Sequence, residues 1–406
     1  MAGYGLIGRT LGHSWSPQIH AVLGSVPYDL YQVEPEALED FLCNTELAGM
    51  NVTIPYKKAV LPCCTALSEI ASQSASVNTL VRHADGWHGA NTDYDGFLYM
   101  ARSSGIAVAG KKALVFGSGG VSGTVCLALR KLGAKSVTVI SRSGKDRYEN
   151  LDRHADAQIL VNCTPVGMFP NVGEAVIGLD RFPACEGVFD LIYNPLKTAL
   201  LLDAEARGIP FSDGLPMLVA QAVRASELFQ NRTIPDDTIR AVERKLRAQM
   251  RNIILIGMPG CGKSTLGKLL AARLSKRFID LDAEIVRTAG RDIETIFREE
   301  SEAGFRIRET AELAKWGKES GLVLATGGGC VTQPQNRDLL RQNGTVIWVR
   351  RSLNALPTDG RPLSRKGGLD VMYETRRPLY EAFCDCAVDN DRTVEHTLET
   401  LLEVLT

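Results

Sequence analysis

The sequence predicts an α/β protein of more than one domain, and a local pattern that occurs twice carries that prediction. Each time, a short apolar strand leads into a glycine-rich loop, and a helix follows the loop. The strands are residues 111–116 and 253–256, and the loops are residues 117–123 and 257–265. Such loops let backbone N–H groups approach phosphate oxygens at a helix N-terminus. Because the first strand of such a fold stands near the start of its domain, the residues before about 253 should form a separate protein.

The composition is that of an ordinary folded protein. Lysine and arginine total 46 residues against 47 aspartates and glutamates, a net charge of −1, so we expect neither nucleic acid nor a membrane surface as a partner. The first residues lack the basic and apolar regions of a signal peptide, and no apolar stretch is long enough to span a bilayer. The ten cysteines have no zinc-ligand spacing. We therefore expect reduced thiols and a cytoplasmic protein.

Polar residues stand at predicted strand and helix ends within residues 1–97. Ser14 and Ser16 precede Pro17, which opens a helix, so their hydroxyls either cap that helix or bind a carboxylate or polyol there. Lys57 and Asp93 each stand just beyond a predicted strand. A lysine with a nearby aspartate can pass a proton during carbonyl reduction. Taken singly, however, polar residues at strand ends are usually part of a turn.

Four motifs occur in this stretch in a fixed order. They are Ser14-x-Ser16-Pro17, Asn51-Val-Thr-x-Pro55-x-Lys57, Val77-Asn78-Thr79 and Asn91-Thr92-Asp93. The series resembles that of the shikimate dehydrogenase family. The resemblance implies that Lys57 and Asp93 form the proton-transfer dyad, and since close pairs titrate jointly, which of them holds the proton at rest stays open. It also implies substrate contacts from Ser14, Ser16, Thr53 and Asn78.

The first glycine loop is typical of a dinucleotide-binding turn. It resembles the family's G-A-G-G-A loop, and its cofactor-binding residues are Gly117, Ser118, Gly119, Gly120 and Val121. The next strand, residues 136–140, ends in Ser141-Arg142-Ser143, without the Asp or Glu that binds the ribose in NAD enzymes. Arg142 can stack on adenine and bind a 2′-phosphate. This stretch therefore predicts NADP(H), with all three residues at the cofactor.

Later segments continue the resemblance to shikimate dehydrogenase. Thr164 and Met168 stand in an N-x-T-P-x-G-M strand end, which the family places beneath the nicotinamide. Tyr193, in a D-x-x-Y segment, and Gln221, at the start of a helix, are implied substrate contacts. That helix leaves the cofactor domain. We therefore expect a discontinuous substrate-binding α/β domain, residues 1–97 and 218–248, and a Rossmann NADP-binding domain, residues 98–217.

The second glycine loop has the G-x-x-x-x-G-K-S pattern of a P-loop. Its predicted nucleotide-binding residues are Gly257, Gly260, Cys261, Gly262, Lys263, Ser264 and Thr265. Lys263 supplies a cation and Ser264 a ligand for Mg²⁺. Beyond the next helix, Asp280 and Asp282 are predicted on the same side of a strand end. One carboxylate can support the metal through water while the other meets a hydroxyl acceptor.

The motifs D-x-D, F-R-x-R-E, G-G-G, R-P-L and R-x-P-L-Y follow the P-loop in this order. The set resembles shikimate kinase, which implies a P-loop α/β kinase domain with a parallel sheet over residues 250–406. The resemblance implies that Asp282 is the base that accepts the proton of the substrate hydroxyl and that Asp280 supports the metal shell. It implies that Arg306 and Arg376 bind the substrate carboxylate, and that the substrate ring lies against Gly327, Gly328 and Gly329. Arg361 would be the cation of a lid over the phosphates. Residues 353–358 depart from the family, because they lack the arginine that stacks on adenine in many members.

Together the two resemblances imply a fusion of consecutive enzymes. The first half would reduce 3-dehydroshikimate with NADPH, and the second would phosphorylate the shikimate formed with MgATP. Three alternatives stay open: quinate or NAD for the first half, another small polyol for the second, and a half that is folded but inactive. Channelling of shikimate rests on the fusion alone, and joint expression without transfer is the simpler interpretation.

Overall fold

The computed structural model describes residues 3–12, 14–356 and 368–405. Within these ranges the chain is an α/β protein with three sheets, as the sequence predicts. The chain divides into two compact units, Met1–Tyr193 with Asp203–Leu246 and Asn194–Leu202 with Arg247–Thr406. No helix in the described ranges is long and apolar enough to cross a membrane.

The first unit contains a mixed sheet and a parallel sheet. The mixed sheet comprises β1 (Tyr4–Gly8), β2 (Tyr28–Gln32), β3 (Gly49–Val52), β4 (Cys64–Leu67), β5 (Thr79–His83) and β6 (Gly86–Ala90), in the order β2-β1-β3-β5-β6-β4. The parallel sheet comprises β7 (Lys112–Phe116), β8 (Ser136–Ile140), β9 (Ile159–Asn162), β10 (Gly187–Asp190) and β11 (Phe211–Ser212), in the order β11-β10-β9-β7-β8. The second arrangement is the Rossmann type, whose ligands bind at the carboxyl ends of the strands.

The helices up to residue 250 are α1 (Ser16–Leu23), α2 (Leu38–Asn44), α3 (Glu69–Ser74), α4 (Asp93–Ser103), α5 (Ser122–Lys131), α6 (Ala199–Ala206), α7 (Leu215–Gln230) and α8 (Asp236–Met250). Helix α7 returns to the mixed sheet, where Tyr4 Oη donates a hydrogen bond to the Phe229 carbonyl at 3.2 Å. The two rings also stack, with centroids 5.0 Å apart. This packing carries Gln221 from the end of the parallel sheet to the mixed sheet.

The second unit is built on one parallel sheet. Its strands are β12 (Asn252–Ile256), β13 (Arg277–Asp280), β14 (Leu322–Ala325), β15 (Gly344–Arg350) and β16 (Cys386–Asp389), in the order β13-β14-β12-β15-β16. Its helices are α9 (Lys263–Arg273), α10 (Leu281–Ala289), α11 (Ile293–Gly317), α12 (Asn336–Arg341), α13 (Leu369–Phe383) and α14 (Val394–Glu403). Every residue of β12 is buried, as expected for a central strand covered on both faces.

The spacing of apolar residues predicts one apolar side in α8, formed by Ile239, Val242 and Leu246, and one in α9, formed by Leu266, Leu269, Leu270 and Leu274. In α8 the predicted apolar side, Ile239, Val242 and Leu246, is buried. In α9, Leu266 is buried as predicted, but Leu269 is 42% exposed. At 100° per residue, Leu269 lies about 60° around the helix axis from Leu266. This places it at the margin of the apolar stripe, where a leucine side chain reaches solvent.

Helix α11 is interrupted at Ser301, whose φ of 64° and ψ of −179° are not helical. Residues other than glycine rarely occupy this region, and such strain costs of order 1–3 kcal/mol. We expect Ser301→Gly to raise the free energy of unfolding of the second unit by about 1 kcal/mol, after allowing for the greater freedom of glycine in the unfolded chain. Limited proteolysis in urea, with the surviving second-unit fragment quantified, measures this change.

Ala303 provides the matched control, because it is exposed in the same helix with regular geometry. Ala303→Gly should lower the free energy of unfolding by roughly 0.5–1 kcal/mol. Opposite signs for the two glycine substitutions support strain at Ser301, and equal losses would contradict it.

Two candidate active sites

The first candidate site is centred on an ion pair. Lys57 Nζ lies 2.6 Å from Asp93 Oδ2, and the two side chains are 16% and 9% exposed. Lys57 follows β3, and its carbonyl accepts a hydrogen bond from Val77 N at 2.8 Å. Asp93 opens α4, where the helix dipole favours a carboxylate. The structure thus places together the two residues that the sequence predicts as a proton-transfer dyad.

A buried amide connects this ion pair to α7. Asn78 Oδ1 accepts a hydrogen bond from Thr92 N at 2.7 Å, and Asn78 Nδ2 donates to Thr92 Oγ1 at 3.0 Å. Asn78 Nδ2 also lies 3.5 Å from Gln221 Oε1. Because Thr92 directly precedes Asp93, these hydrogen bonds fix the start of α4. The contact with Gln221 holds that side chain near the same helix end. No role is predicted for Thr92 from the sequence, although it stands in the Asn91-Thr92-Asp93 motif.

The two predicted serines stand at the start of α1. Ser14 Oγ accepts a hydrogen bond from Ser16 N at 3.2 Å, while the N-cap position belongs to Trp15, which makes no side-chain cap. Ser16 is buried as the first helical residue. Of the two serine hydroxyls, only that of Ser14 therefore binds a backbone N–H at the helix start, as the capping interpretation expects. Thr53 is half-buried just after β3, and its backbone N–H donates to the Ile7 carbonyl at 3.0 Å.

A buried aromatic pair near Ser16 is missed from the sequence. His20 is fully buried and stacks on Tyr28, with ring centroids 4.1 Å apart. Burial lowers the pKa of His20 to about 3, so its ring is neutral. Tyr28 Oη donates to Asn51 Oδ1 at 2.8 Å. The available signal was the spacing of Ser16 and His20, which places both on one face of α1.

The first glycine loop adjoins the ion pair. Gly117, Ser118, Gly119, Gly120 and Val121 connect β7 to α5. A Cβ at Gly120 would lie 3.6 Å from Lys57 Cβ, whereas a Cβ at Gly119 would meet no atom of the described residues within 4 Å. The loop is thus open to a ligand that would reach Lys57. With the N–H groups of α5 behind it, this loop fits the pyrophosphate of a dinucleotide.

The other predicted cofactor residues follow neighbouring strands. Ser141 is buried after β8, and Arg142 and Ser143 are exposed. Thr164 Oγ1 donates to Asn162 Oδ1 at 2.7 Å after β9. Met168 is 46% exposed, so its side chain is accessible to a ligand. These positions fit a cofactor that lies along the carboxyl edge of the sheet.

Tyr193 follows β10. It is half-buried, and burial raises the pKa of its hydroxyl, so the group is a neutral donor at physiological pH. Its place after β10 puts it at the carboxyl edge of the parallel sheet, where ligands bind in this type of fold.

The second candidate site is a cavity of about 490 Å³ in the second unit. The P-loop contributes Pro259, Gly260, Gly262, Lys263, Ser264 and Thr265 to its wall. Two predicted nucleotide-binding residues do not line it. Cys261 is fully buried, and Gly257 is packed against the backbone of Val349.

The P-loop side chains are already held in place. Lys263 Nζ donates to the carbonyls of Gly257 and Met258, each at 2.9 Å. Ser264 Oγ donates to Asp280 Oδ2 at 2.6 Å, while Asp280 Oδ1 accepts from Asp282 N at 3.1 Å as the cap of α10. A hydroxyl beside a carboxylate at a phosphate loop fits Mg²⁺, a hard cation that prefers oxygen ligands.

Asp282 lines the cavity, but its predicted secondary structure is wrong. Strand β13 ends at Asp280, and α10 begins at Leu281. Asp282 therefore lies in the first turn of α10 and does not share a strand face with Asp280. The cause is local, because the Asp280 side chain caps the helix and starts it one residue after the strand.

Arg306 and Arg376 are buried in the cavity wall. Arg306 Nη1 lies 2.6 Å from Glu309 Oε2, and Arg306 Nη2 lies 3.1 Å from Glu302 Oε1. Glu309 is fully buried, and burial raises its pKa while Arg306 opposes that rise. The paired carboxylates orient Arg306 for an anion, which a guanidinium binds in a fork. Glu309 is missed as a site residue, although it ends the F-R-x-R-E motif.

The triple glycine allows these side chains to meet. A Cβ at Gly329 would overlap the Arg306 guanidinium, and one at Gly327 would lie 2.9 Å from Asp282 Oδ1. Gly327, Gly328 and Gly329 all line the cavity. Only residues without a side chain permit this approach, so the glycines position the acid and the arginine around one space.

Six further cavity residues have no predicted role: Ile293, Glu294, Phe297, Phe305, Thr326 and Arg351. Their contribution depends on how α11, β14 and β15 pack, which no local motif reveals. Arg361, the predicted lid cation, lies outside the described residues.

Comparison with known proteins finds different families in the two parts of the chain. A family model described as the shikimate dehydrogenase substrate binding domain matches residues 6–80, and a model described as shikimate kinase matches residues 259–406. A shikimate dehydrogenase (NADP(+)) from Oleidesulfovibrio alaskensis is 38% identical over 266 residues, which cover 59% of this chain and 93% of the relative.

Two solved structures show the same fold over the first part of the chain. Shikimate 5-dehydrogenase from Thermus thermophilus, in complex with NADP(H) and shikimate, is 30% identical with a TM-score of 0.55, over 60% of this chain and 99% of that one. Quinate dehydrogenase from Corynebacterium glutamicum, in complex with NAD, is 28% identical with a TM-score of 0.54, over 60% and 99%. The chain therefore belongs to the shikimate dehydrogenase family, and it carries a shikimate kinase domain in residues 259–406.

Proposed function

We propose that this bifunctional enzyme reduces 3-dehydroshikimate to shikimate with NADPH and then phosphorylates the same oxygen with MgATP. The observation that carries the proposal is that one chain holds both sets of reactive groups. The Lys57–Asp93 pair adjoins a dinucleotide loop, and Asp282, Arg306 and Arg376 share a cavity with the P-loop.

In the first reaction, NADPH supplies a hydride to the C3 ketone. The Lys57–Asp93 dyad delivers the proton that the new C3 oxygen requires, and solvent restores it. The two side chains are mostly shielded from water, which strengthens the electrostatic contact between them. Asn78 and Gln221 supply amide groups for substrate hydroxyls, and Ser14, Ser16 and Thr53 supply hydroxyls.

In the second reaction, the C3 hydroxyl attacks the γ-phosphorus of ATP, and ADP leaves. Asp282 accepts the hydroxyl proton, and Arg306 with Arg376 holds the substrate carboxylate. Ser264 and Asp280 would hold Mg²⁺, which neutralises phosphate charge. Lys263 adds a cation at the phosphates. Such transfers depend mainly on positioning and charge, and these residues supply both.

A coupled assay tests the proposal. Purified protein with 3-dehydroshikimate, NADPH, ATP and Mg²⁺ should consume NADPH and form ADP. When NADPH is omitted, ADP formation should stop and should return when shikimate is added. If added shikimate yields no ADP while NADPH is still consumed, the kinase part of the proposal fails. If ADP forms with shikimate but NADPH is never consumed, the dehydrogenase part fails.

Arg142 decides between NADP(H) and NAD(H) in this proposal. Arg142→Ala should raise KM for NADPH by roughly 10- to 100-fold, the effect of losing charged hydrogen bonds to a 2′-phosphate. KM for NADH should rise much less, because NADH loses only the stacking on adenine that both cofactors share. Arg130→Ala, an exposed arginine in the last turn of α5, is the control. Equal KM changes for both cofactors would reject the assignment, and the same kinetics with quinate test the alternative acid.

We also propose a cytoplasmic location. All ten cysteines lie in the described part of the chain with free thiols, as expected in a reducing compartment.

A further inference from the structure

An unpredicted arginine lies at the nucleotide end of the kinase cavity. Arg351 directly follows β15 and lines the cavity together with the P-loop residues. Its Nε is buried and has no hydrogen-bond partner among the described residues. A buried guanidinium nitrogen without a partner costs free energy, so an acceptor from a bound ligand would stabilise this side chain.

The sheet order shows which part of the cavity Arg351 serves. Strands β13 and β14, on one side of β12, lead to Asp282 and to residues 327–329. Arg351 follows β15, on the other side of β12. The P-loop lies between them, because it follows β12 itself. Arg351 therefore lies across the phosphate loop from the acceptor groups.

Local contacts hold this strand end against the P-loop. The carbonyl of Val349 packs at Gly257, and Asn390 Nδ2 donates to the Cys261 carbonyl at 2.8 Å. Asp391 is the acid that interacts electrostatically with Arg351, but its Oδ1 already accepts the Ser352 N–H at 2.8 Å. Among the described residues, Arg351 thus lies near the loop and forms no salt bridge.

The preceding residue has the opposite arrangement. Arg350 is exposed and forms a forked contact with Asp389, at 2.8 Å through Nη2 and 2.7 Å through Nε. Successive side chains of a strand point to opposite faces. The side chain of Arg350 therefore lies on the protein surface. Because Arg350 has the same charge and size as Arg351 and is adjacent to it, it is a suitable control residue.

We propose that Arg351 binds the phosphate chain of the nucleotide. A guanidinium offers a planar fork of donors to phosphate oxygens, and Lys263 alone supplies only a point charge. The assignment rests on the proposed kinase function and, among the described residues, adds a cation to Lys263 on the nucleotide side of its site.

The test compares Arg351→Gln with Arg350→Gln in the full chain. Calorimetry gives Kd for ADP with Mg²⁺, for shikimate, and for inorganic tripolyphosphate, which has no adenine. Arg351→Gln should weaken binding of ADP and of tripolyphosphate about tenfold and leave Kd for shikimate unchanged. Arg350→Gln should match the wild type. An unchanged rate of NADPH oxidation and an unchanged Tm of the second unit show that both variants fold.

Equal ADP affinity in the two variants overturns the proposal. A loss for ADP without a loss for tripolyphosphate also overturns it, because the contact would then be to adenosine. Binding is measured without an acceptor. A wild-type chain that binds ADP but does not phosphorylate shikimate therefore contradicts the proposed function and leaves the Arg351 assignment standing.

Discussion

Lys57→Met is expected to lower kcat for 3-dehydroshikimate reduction by roughly 10²–10⁴-fold, the range for a positioned proton donor or acceptor. Methionine keeps an apolar stem of similar length but cannot pass a proton. Lys57 Nζ lies 2.6 Å from Asp93 Oδ2, so the variant also leaves a mostly buried carboxylate without its cation. Steady-state NADPH oxidation at saturating substrate measures the effect.

The adjacent lysine supplies the control for this variant. Lys58 is exposed, and Lys58→Met should retain the wild-type kcat. Phosphorylation of supplied shikimate should be unchanged in both variants, which shows that the second unit is folded. If Lys57→Met and Lys58→Met oxidise NADPH at the same rate, the dyad is not the proton source.

Asp282→Asn is expected to reduce kcat for shikimate phosphorylation by a similar factor, roughly 10²–10⁴-fold. The amide has nearly the same shape but cannot accept the hydroxyl proton. Asp282 lines the cavity beside Gly327, where the acceptor is expected. Because Ser264 and Asp280 remain, Kd for MgADP should not change. ADP release with supplied shikimate gives kcat, and calorimetry gives Kd.

Glu284 is the control acid on the same helix. Its carboxylate pairs with Arg287 at 2.7 Å and does not line the cavity, so Glu284→Gln should keep the wild-type kcat. A normal kcat in Asp282→Asn would remove Asp282 as the base. Loss of MgADP binding would show instead that Asp282 acts through the metal or the P-loop.

The features that can be predicted from the sequence are those that short local patterns determine. A strand, a glycine loop and a helix in succession predicted both phosphate loops, since each part follows from neighbouring residues. The pairing of Lys57 with Asp93 was predicted from the order of motifs, and the structure places the two side chains together. Residues more than 30 positions apart meet here because β3 and β6, which lead to Lys57 and Asp93, both run antiparallel to β5 and so end at the same edge of the mixed sheet.

Tertiary packing explains what the sequence did not predict. Glu309 orients Arg306 only because both are buried on consecutive turns of α11. Arg351 and Arg350 are identical in type, and only the direction of the strand end separates a cavity residue from a surface one. The two-residue spacing of Asp280 and Asp282 fits a strand, but the Asp280 side chain caps a helix there, so Asp282 lies on that helix.

The most direct test follows one deuterium atom from NADPH into the product. The protein is supplied with 3-dehydroshikimate, NADPH that carries transferable deuterium, ATP and Mg²⁺, and the product is examined by proton, deuterium and phosphorus NMR. Consecutive reduction and phosphorylation predict one carbon, C3, that bears both the deuterium and the phosphate ester. A phosphate on a different carbon, or deuterated shikimate that remains unphosphorylated with ATP in excess, would contradict the two-step function.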